Sequence, residues 1–404
     1  MEKKNFKKKR WVKNRHAVIS KIFGWCITPF IKFKYHAKVE KCTSDKNKRY
    51  LVLYNHQTAF DQFFIGVAFR KIYYVASEDL FSKGFISSLL RFAVNPIPIK
   101  KQTTDVHAVM NCLRVAREGG SIAIAPEGNR TFSGKTGYFK PSIVKLAKTI
   151  KLPIAIFRIE GGYGVQPRWA SNVRKGKMRC YVKRVIEYDE YKNMSDDELY
   201  SLLKEELYVD ESKIIGEYHH KDLANFIERT IYFCPDCGLS HFKSHRNILT
   251  CTKCGKEFRY LPNKRFEGVG FDCSYKSVTE WYEAQEKFVL GLDLDKYEKE
   301  PAFIDRARFS KVILYKSKTA IDKNAEISLY GNRIEVSCKK EKFTFEFDVT
   351  DAVTVLGRNK VNVYFGGEVF QIKGSKSFNG LKYVNIFNRY ANGKKGENNE
   401  FLGL

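Results

Sequence analysis

The stretch YNHQTAFDQF, residues 54–63, places an imidazole and a carboxylate five positions apart, at His56 and Asp61. A histidine titrates near neutrality and can remove a proton from an alcohol, while a carboxylate beside it fixes the tautomer and stabilises the imidazolium. The pattern Thr58-x-x-Asp61 is also typical of a capping box at a helix start. Within one helix, residues five apart point about 140° away from each other. The pair can therefore work only if His56 lies in the turn and Asp61 in the first helical turn.

A second polar group lies in IAIAPEGNRTFSG, residues 122–134, where Glu127, Gly128 and Arg130 follow a short apolar run. A glycine between a carboxylate and a guanidinium lets the backbone turn, so that both side chains can face one cleft. The planar guanidinium suits bidentate contact with a phosphate. The alternative is an ordinary turn with a surface ion pair. Sites form at the ends of strands in α/β sheets, which favours the first interpretation for both polar groups.

The segment CPDCGLSHFKSHRNILTCTKC, residues 234–254, contains two CxxC pairs separated by thirteen residues. Two such turns supply the four ligands of a tetrahedral Zn²⁺, which is a structural site because no coordination position stays open. The predicted zinc ligands are Cys234, Cys237, Cys251 and Cys254. His241 and His245 in the intervening loop are expected to be ordinary loop residues. The other six cysteines are scattered, as is typical of a reducing compartment.

Alternating segments of strand and helix character surround the two polar groups. Apolar runs predict strands at 50–54, 72–76, 121–125, 152–159 and 178–188. Helical periodicity predicts helices from 63 to about 70 and at 87–93, 104–118, 140–150 and 195–209. This alternation predicts an α/β layered domain with a largely internal sheet.

From about residue 303 the chain consists of short alternating segments broken by Gly and Asn, followed by one helical run at 378–390. Many short strands at close spacing favour an antiparallel sandwich or barrel. A series of strands closed by a helix resembles a pleckstrin-homology or GRAM-type module.

The formal net charge is +27 over 404 residues, of which 43% are hydrophobic. This describes a globular chain with an anionic partner: nucleic acid, lipid headgroups or a phosphorylated small molecule. Eight of the first fifteen residues are Lys or Arg, and the apolar stretch 17–31 follows them. That stretch contains Lys21 and Pro29 and is shorter than the roughly 20 residues that span a bilayer. No small-residue cleavage site follows it.

We therefore expect the N-terminal segment to be an interfacial anchor, with its lysines on anionic lipid. The residues expected in the headgroup boundary are Trp11, Ile22, Phe23, Trp25 and Phe30. The alternative is a core helix behind a solvated basic tail.

Taken together, NHQTAFD and, about 65 residues later, PEGNRT resemble the signature motifs of the glycerolipid acyltransferases. This superfamily includes 1-acylglycerol-3-phosphate acyltransferase. Residues 78–101 are similar to its acceptor-binding segment and residues 151–162 to its hydrophobic fourth block, so the resemblance covers roughly residues 45–190. The chain departs from the family pattern at four places, with Thr58 for Ser, Ala125 for Phe, Asn129 for Thr, and Lys100-Lys101 where the second block ends in Arg.

The resemblance implies that His56 and Asp61 are catalytic. The residues that it implies for acceptor binding are Glu127, Gly128 and Arg130, with the lysine pair Lys100 and Lys101 in place of the family arginine. The acyl donor would be acyl-CoA or acyl-carrier protein. The chain has no GxSxG elbow and no cysteine in a nucleophile context, which favours direct attack by the acceptor hydroxyl in a ternary complex. No metal would be needed for catalysis, and the zinc would have a structural role.

The expected organisation is a basic membrane-surface anchor at 1–40, an acyltransferase domain of α/β type at 41–220, a zinc ribbon and linker at 221–300, and a β-rich PH/GRAM-like domain at 301–404. The expected reaction converts 1-acylglycerol 3-phosphate (lysophosphatidic acid) to phosphatidic acid in phospholipid synthesis. The enzyme would be cytoplasmic, peripheral on the inner face of an anionic membrane, and not secreted.

Two alternatives remain open on the sequence. The acceptor could instead be glycerol 3-phosphate or another lysophospholipid. The chain could also be a zinc-ribbon nucleic-acid-binding protein, because its charge is high and Lys243, His245 and Arg246 lie in the ribbon loop. That alternative leaves both acyltransferase motifs unexplained, so nucleic acid is the less favoured partner.

Overall fold

The structure, a computed structural model, describes residues 10–42, 48–69, 71–77, 80–81, 85–99, 106–312 and 318–396. Strands in these ranges form two seven-stranded sheets, one four-stranded sheet and one two-stranded ribbon. The elements follow one another along the chain in three groups, described in turn below.

The first group contains a seven-stranded sheet. Its strands are β1 (Ala37–Val39), β2 (Leu51–Tyr54), β3 (Ile72–Ser77), β4 (Ile97–Ile99), β5 (Ser121–Ile124), β6 (Ile154–Glu160) and β7 (Met178–Ile186). Their spatial order is β1-β7-β6-β2-β5-β3-β4, and every neighbouring pair is parallel except β6 with β7. The carboxyl ends of the central strands β2 and β5 therefore meet at one edge, and the two polar groups follow these two strands.

Helices cover both faces of this sheet. They are α1 (Asn14–Tyr35), α2 (Asp61–Ala68), α3 (Phe85–Ala93), α4 (Val106–Arg117), α5 (Ser142–Ile150), α6 (Gly162–Val165), α7 (Tyr188–Tyr191) and α8 (Asp196–Leu207). Alternate residues of β2 enter different cores: Val52 packs with Phe64 of α2, whereas Leu51 packs with Val144 of α5 and Leu203 of α8. The predicted α/β layered domain with an internal sheet is confirmed.

The second group is small and built around the cysteines. It contains β8 (Phe233–Cys234), β9 (Gly238–Leu239), β10 (Phe242–His245), β11 (Ile248–Cys251), β12 (Glu257–Tyr260), β13 (Phe266–Gly268) and α9 (Val278–Leu290). Strands β10 to β13 form an antiparallel sheet in chain order. Trp281 of α9 is fully buried against it, with ring contacts to Phe242, Phe258 and Phe266. This aromatic core joins α9 to the sheet that carries the second cysteine pair.

The third group is an antiparallel sheet closed by a helix. Its elements are β14 (Phe303–Val312), β15 (Lys318–Leu329), β16 (Arg333–Ser337), β17 (Lys342–Glu346), β18 (Thr350–Leu356), β19 (Lys360–Phe365), β20 (Glu368–Gly374) and α10 (Leu381–Lys394). The strand order is β17-β16-β15-β14-β20-β19-β18. Helix α10 buries Leu381, Tyr383 and Ile386 in the core of this sheet. The predicted β-rich region with a terminal helix is confirmed.

Helix α1 is partly core and partly surface. Ile31 and Tyr35 near its C-terminal end are buried, whereas Ile22 and Trp25 are exposed, Trp25 to 81%. Trp11, expected at the membrane, is half-buried and donates its indole N–H to the carbonyl of Asn95 at 3.0 Å, and its membrane contact stays a prediction. Residues 1–9 of the basic run lie outside the described ranges. In the part of the chain that the structure covers, every helix is too short or too polar to cross a bilayer.

Candidate active site

The predicted histidine–aspartate pair forms in the turn between β2 and α2. His56 lies in the turn, Asp61 is the first residue of α2, and His56 Nδ1 is 2.7 Å from Asp61 Oδ2. The imidazole is 23% exposed and the carboxylate is fully buried. Since Nδ1 donates to the carboxylate, the tautomer leaves Nε2 as the proton acceptor. This arrangement suits a general base.

The capping box predicted at Thr58 differs in register from the observed turn. Helix α2 begins at Asp61 with Phe60 as its N-cap, two residues later than the box requires. The Thr58 hydroxyl donates to Asp61 Oδ1 at 2.6 Å and accepts the Phe60 N–H at 3.1 Å. Together with the backbone N–H groups of Gln57 and Thr58, it holds the buried carboxylate in one orientation. The physical reason for the shift is that Asp61 collects donors from the turn instead of capping a longer helix.

The PEGNRT turn after β5 is joined directly to the histidine turn. Glu127 Oε1 accepts the His56 backbone N–H at 2.9 Å, and Oε2 accepts the Gly137 N–H at 2.7 Å. The Thr131 N–H returns a hydrogen bond to the His56 carbonyl at 3.0 Å. Gly128 has a φ of +66°, a conformation that favours glycine at this tight turn. The two sequence motifs thus form one hydrogen-bonded unit.

Burial raises the pKa of Glu127 to about 8, and the charge of Asp61 adds to the rise, against the two N–H donors that lower the pKa. Both carboxylate oxygens are engaged by the backbone. The geometry therefore gives Glu127 a positioning role toward His56, and its predicted contact with the acceptor stays a prediction.

Side-chain amides connect the histidine turn to the end of β6. Asn55 exchanges two hydrogen bonds of 2.8 Å with the backbone of Ile159, in the pattern of a ladder. Gln57 Oε1 accepts the Tyr163 N–H at 2.8 Å, and Gln166 Oε1 accepts the Ala59 N–H at 3.1 Å. These amides fix the turn from the side opposite Glu127, and they were not among the predicted site residues. The sequence signal for Asn55 and Gln57 was that both are polar and flank the candidate histidine.

Two arginines lie near the imidazole. The Arg130 Nη1 atom is buried and has no hydrogen-bond partner among the described residues. Burial, and then the charge of Arg358, lower the pKa of Arg130 to about 10. Arg168 is only 2% exposed and donates from Nη1 to the Arg130 carbonyl at 2.7 Å. Arg168 was not among the predicted site residues, and its only signal in the sequence is an arginine that follows the glycine-rich loop after β6.

The electrostatics of the site keep His56 neutral. Burial lowers the pKa of His56 below its ordinary value of 6.5, the hydrogen bond and charge of Asp61 raise it, and Arg130 and Arg168 lower it again. A neutral imidazole with a free Nε2 is the form that a general base requires near pH 7.

Comparison with known proteins identifies the segment that holds this site. Residues 33–159 match the family model described as Acyltransferase. This segment is therefore similar to acyltransferases. The predicted resemblance to acyltransferases is thereby confirmed for the segment that carries both motifs.

The chain is also similar in structure to the 1-acyl-sn-glycerophosphate (LPA) acyltransferase PlsC from Thermotoga maritima. The sequences are 21% identical, the match covers 48% of this chain and 76% of that chain, and the TM-score is 0.41. No curated protein matches the chain.

The predicted acceptor-binding residues of the acyltransferase domain are only partly brought together. Arg130, Glu127 and Gly128 lie on the turn beside His56. Lys100 and Lys101 lie outside the described residues, so their predicted contribution stays a prediction.

The four predicted metal ligands converge beyond the acyltransferase domain. The Sγ atoms of Cys234, Cys237, Cys251 and Cys254 all lie within 4.8 Å of one another, and all four thiols are free. Sulfur atoms at 2.3 Å from a tetrahedral Zn²⁺ are about 3.8 Å apart. The Cys234–Cys254 sulfur distance is 3.8 Å, which fits such an ion. His241 contacts the ring of Phe303 and lies outside this ligand set.

A buried ion pair links the cysteine group to the histidine turn. Lys264, between β12 and β13, lies 3.2 Å from Glu211 Oε2, and both side chains are buried. Glu211 Oε1 accepts a hydrogen bond of 2.6 Å from the N–H of Gly161, which begins the loop after β6. In the same loop, the N–H of Tyr163 donates to Oε1 of Gln57. The loop beside His56 is therefore supported by the segment that carries the four cysteines.

Proposed function

We propose that this acyltransferase moves a fatty acyl group from acyl-CoA or acyl-carrier protein to the free hydroxyl of 1-acylglycerol 3-phosphate, making phosphatidic acid. The observation that supports this best is the His56–Asp61 pair beside Arg130, whose buried Nη1 has no partner in the described ranges. A base for a hydroxyl and a cation for a phosphate are the two groups that a phosphorylated alcohol acceptor needs.

His56 Nε2 removes the proton from the acceptor hydroxyl as the oxygen attacks the thioester carbonyl carbon. The tetrahedral intermediate then expels the thiolate of the donor, which takes the proton from the imidazolium and leaves as the free thiol. Asp61 holds the ring and stabilises its transient charge. A C–O bond replaces a C–S bond, and His56 returns to its neutral form without a metal in any step.

The cysteine cluster would hold a structural Zn²⁺. Four thiolates close the coordination shell, so the ion would supply folding free energy to the segment around β8 to β12.

The acceptor resides in a bilayer, so an enzyme that acts on it must approach the membrane surface. Helix α1 presents Ile22, Phe23 and Trp25 to solvent, and α3 beside it presents Phe85 and Leu89. Exposed apolar and aromatic side chains near lysines suit binding at the interface of an anionic bilayer. We propose peripheral binding through this surface, with the basic N-terminal run adding attraction.

The direct test is an acyl-transfer assay of the purified protein with labelled acyl-CoA or acyl-carrier protein. The acceptor panel should contain 1-acylglycerol 3-phosphate, glycerol 3-phosphate, another lysophospholipid and an unphosphorylated monoacylglycerol. We expect phosphatidic acid as the main product. Preference for a different acceptor would reassign the substrate, and no turnover on any acceptor would overturn the proposal.

Nucleic-acid binding is tested in parallel by measuring DNA and RNA affinity as salt is varied. A strong, salt-dependent affinity without acyl transfer would favour the alternative.

A further inference from the structure

A turn of the C-terminal sheet lies against the acyltransferase site. Strands β18 and β19 are joined by Gly357, Arg358 and Asn359. The guanidinium of Arg168 donates from Nε to the Gly357 carbonyl at 3.1 Å and from Nη1 to the Arg130 carbonyl at 2.7 Å. One buried side chain therefore bridges the PEGNRT turn and the β18–β19 turn, which places Arg358 next to Arg130.

The β18–β19 turn is held in place. Gly357 has a φ of +65°, and the Asn359 amide donates to the carbonyls of Gly374 and Ser375 at 3.0 and 2.9 Å. Phe132, two residues after Arg130, is buried in the same hydrophobic cluster as the C-terminal sheet. The position of Arg358 relative to the active site is thus set by packing on both sides.

The arginines at this junction lack a matching carboxylate. Arg130 and Arg358 form no ion pair and donate no side-chain hydrogen bond within the described ranges, and Arg130 Nη1 is buried. The charge of Asp61 raises the pKa of Arg130, but the Asp61 oxygens already accept from His56, from the Thr58 hydroxyl and from two backbone N–H groups.

Burial lowers the pKa of Arg358 as well as that of Arg130, where Arg358 also acts as a like charge. Two partly desolvated guanidinium groups close together are costly unless an anion lies between them.

We propose that Arg358 of the C-terminal domain binds, together with Arg130, the phosphate monoester of the acceptor, so that the substrate site is shared by the two domains. This inference rests on the proposed function for the identity of the acceptor. A phosphate monoester is a dianion at neutral pH, and two arginine forks can satisfy its three terminal oxygens. The phosphate would neutralise the paired cations beside the catalytic imidazole.

The test uses the full chain with Arg358→Gln, Arg358→Lys and the matched control Lys373→Gln, which removes an exposed charge from the same sheet. A charged hydrogen bond contributes about 1.5–3 kcal/mol, so Arg358→Gln should raise KM for the phosphorylated acceptor roughly 10- to 100-fold. KM for acyl-CoA, kcat and activity on the unphosphorylated monoacylglycerol should change little. Arg358→Lys should recover part of the loss, and Lys373→Gln should behave as wild type.

Each other outcome overturns the assignment. A rise confined to KM for acyl-CoA would place a phosphate of the donor at Arg358. Equal losses on phosphorylated and unphosphorylated acceptors, with a lowered melting temperature, would make Arg358 a structural residue. Unchanged constants in Arg358→Gln would show that it does not contact substrate.

A binding measurement separates this inference from the proposed function. Titration of wild-type protein with glycerol 3-phosphate, and separately with inorganic phosphate, should show one site that weakens in Arg358→Gln and in Arg130→Gln. The double variant should lose less than the sum of the single losses, because both side chains hold one anion. If the wild type shows this site but acylates no phosphorylated acceptor, the proposed function fails while the anion site stands. If Arg358→Gln binds phosphate as wild type does, the inference fails whatever the activity.

Discussion

The backbone N–H of His56 donates a hydrogen bond of 2.9 Å to the carboxylate of Glu127, 71 residues further along the chain. This contact fixes the histidine turn to the PEGNRT turn at the adjoining ends of β2 and β5. A base that must meet a hydroxyl within hydrogen-bond distance depends on such fixing, since small misplacements of a catalytic group are costly.

Replacing the base should remove activity and leave the fold. We expect His56→Ala to lower kcat by about 10²–10⁴-fold or more, the usual contribution of a general base. Asp61→Asn should lower kcat nearly as much, because a neutral amide in place of the carboxylate that accepts from His56 Nδ1 no longer stabilises the imidazolium. Steady-state kinetics with circular dichroism checks this. Near-normal turnover in folded His56→Ala would contradict the mechanism.

Glu127→Gln should reduce both stability and turnover. The glutamine amide has one oxygen that can accept a hydrogen bond, whereas Glu127 accepts from the N–H groups of both His56 and Gly137. One of these buried N–H groups would face the amide NH₂ and lose its acceptor, at a cost of about 1–3 kcal/mol. We expect a lower melting temperature and a lower kcat. The exposed pair of Lys48 with Glu187 provides the control Glu187→Gln, which should change neither. A change in acceptor KM alone would instead make Glu127 a substrate contact.

Removing the charge of Arg130 and removing the charge of Asp61 should shift the pKa of His56 in opposite directions. Because burial and Arg130 lower its pKa, the ligand-free imidazole should titrate below 6.5. Arg130→Gln removes a cation and should raise the pKa, whereas Asp61→Asn removes an anion and should lower it. NMR titration of labelled histidines, with the His56 signal assigned by its loss in His56→Ala, measures both shifts. Shifts of the same sign in the two variants would contradict this electrostatic account.

Elemental analysis should find about one zinc per chain, absent in the double variant Cys251→Ser/Cys254→Ser. Since the ion contributes to folding, its loss should destabilise the segment around β8 to β12. Through the Lys264–Glu211 pair it should also lower kcat. Cys26→Ser, at an exposed cysteine of α1, is the control and should keep the metal. Metal-free protein with full activity and unchanged melting would contradict the prediction.

Substitution of exposed apolar residues on α1 should weaken membrane binding. Ile22→Ser with Trp25→Ser removes two adjacent surface side chains, and sedimentation with anionic vesicles should fall roughly tenfold or more. Activity on a short-chain, water-soluble acceptor should be retained. Added salt should weaken binding further, because screening acts over about 10 Å at 0.1 M.

The control for this experiment is Val349→Ser, which alters an exposed side chain of the C-terminal domain. Unchanged sedimentation of the α1 variant would place the membrane contact elsewhere. Deletion of residues 1–35 is a poorer test, because Tyr35 packs in the core against Phe60 and Phe64.

The candidate site residues could be identified from the sequence because each group is local. The His56–Asp61 turn, the Glu127–Arg130 turn and the cysteine pairs each lie within a short segment whose residue types state their chemistry. The apolar periodicities likewise predicted the layered α/β domain. The start of α2 was predicted less well, since a capping-box pattern cannot show that Asp61 will collect donors from four groups in the turn.

The contacts that complete the site could not be predicted in the same way. Arg168 meets Arg130 and Gly357 across separations of 38 and 189 residues, and nothing in the local sequence of any of the three indicates this. Asn55 and Gln57 act through backbone groups of β6 and its loop, which become neighbours only when the parallel strands pair.

The Arg168 bridge between Arg130 and Gly357 also affects the order in which the protein can fold during synthesis. During translation, the acyltransferase segment with His56 and Arg130 leaves the ribosome first. Gly357, whose carbonyl accepts the hydrogen bond from Arg168, is synthesised 189 residues after Arg168. The histidine turn can fold before this point. The contact between Arg168 and Gly357 can form only after the β18–β19 turn has been synthesised. Completion of this site is therefore a late event in biosynthesis, set by the order in which the chain emerges.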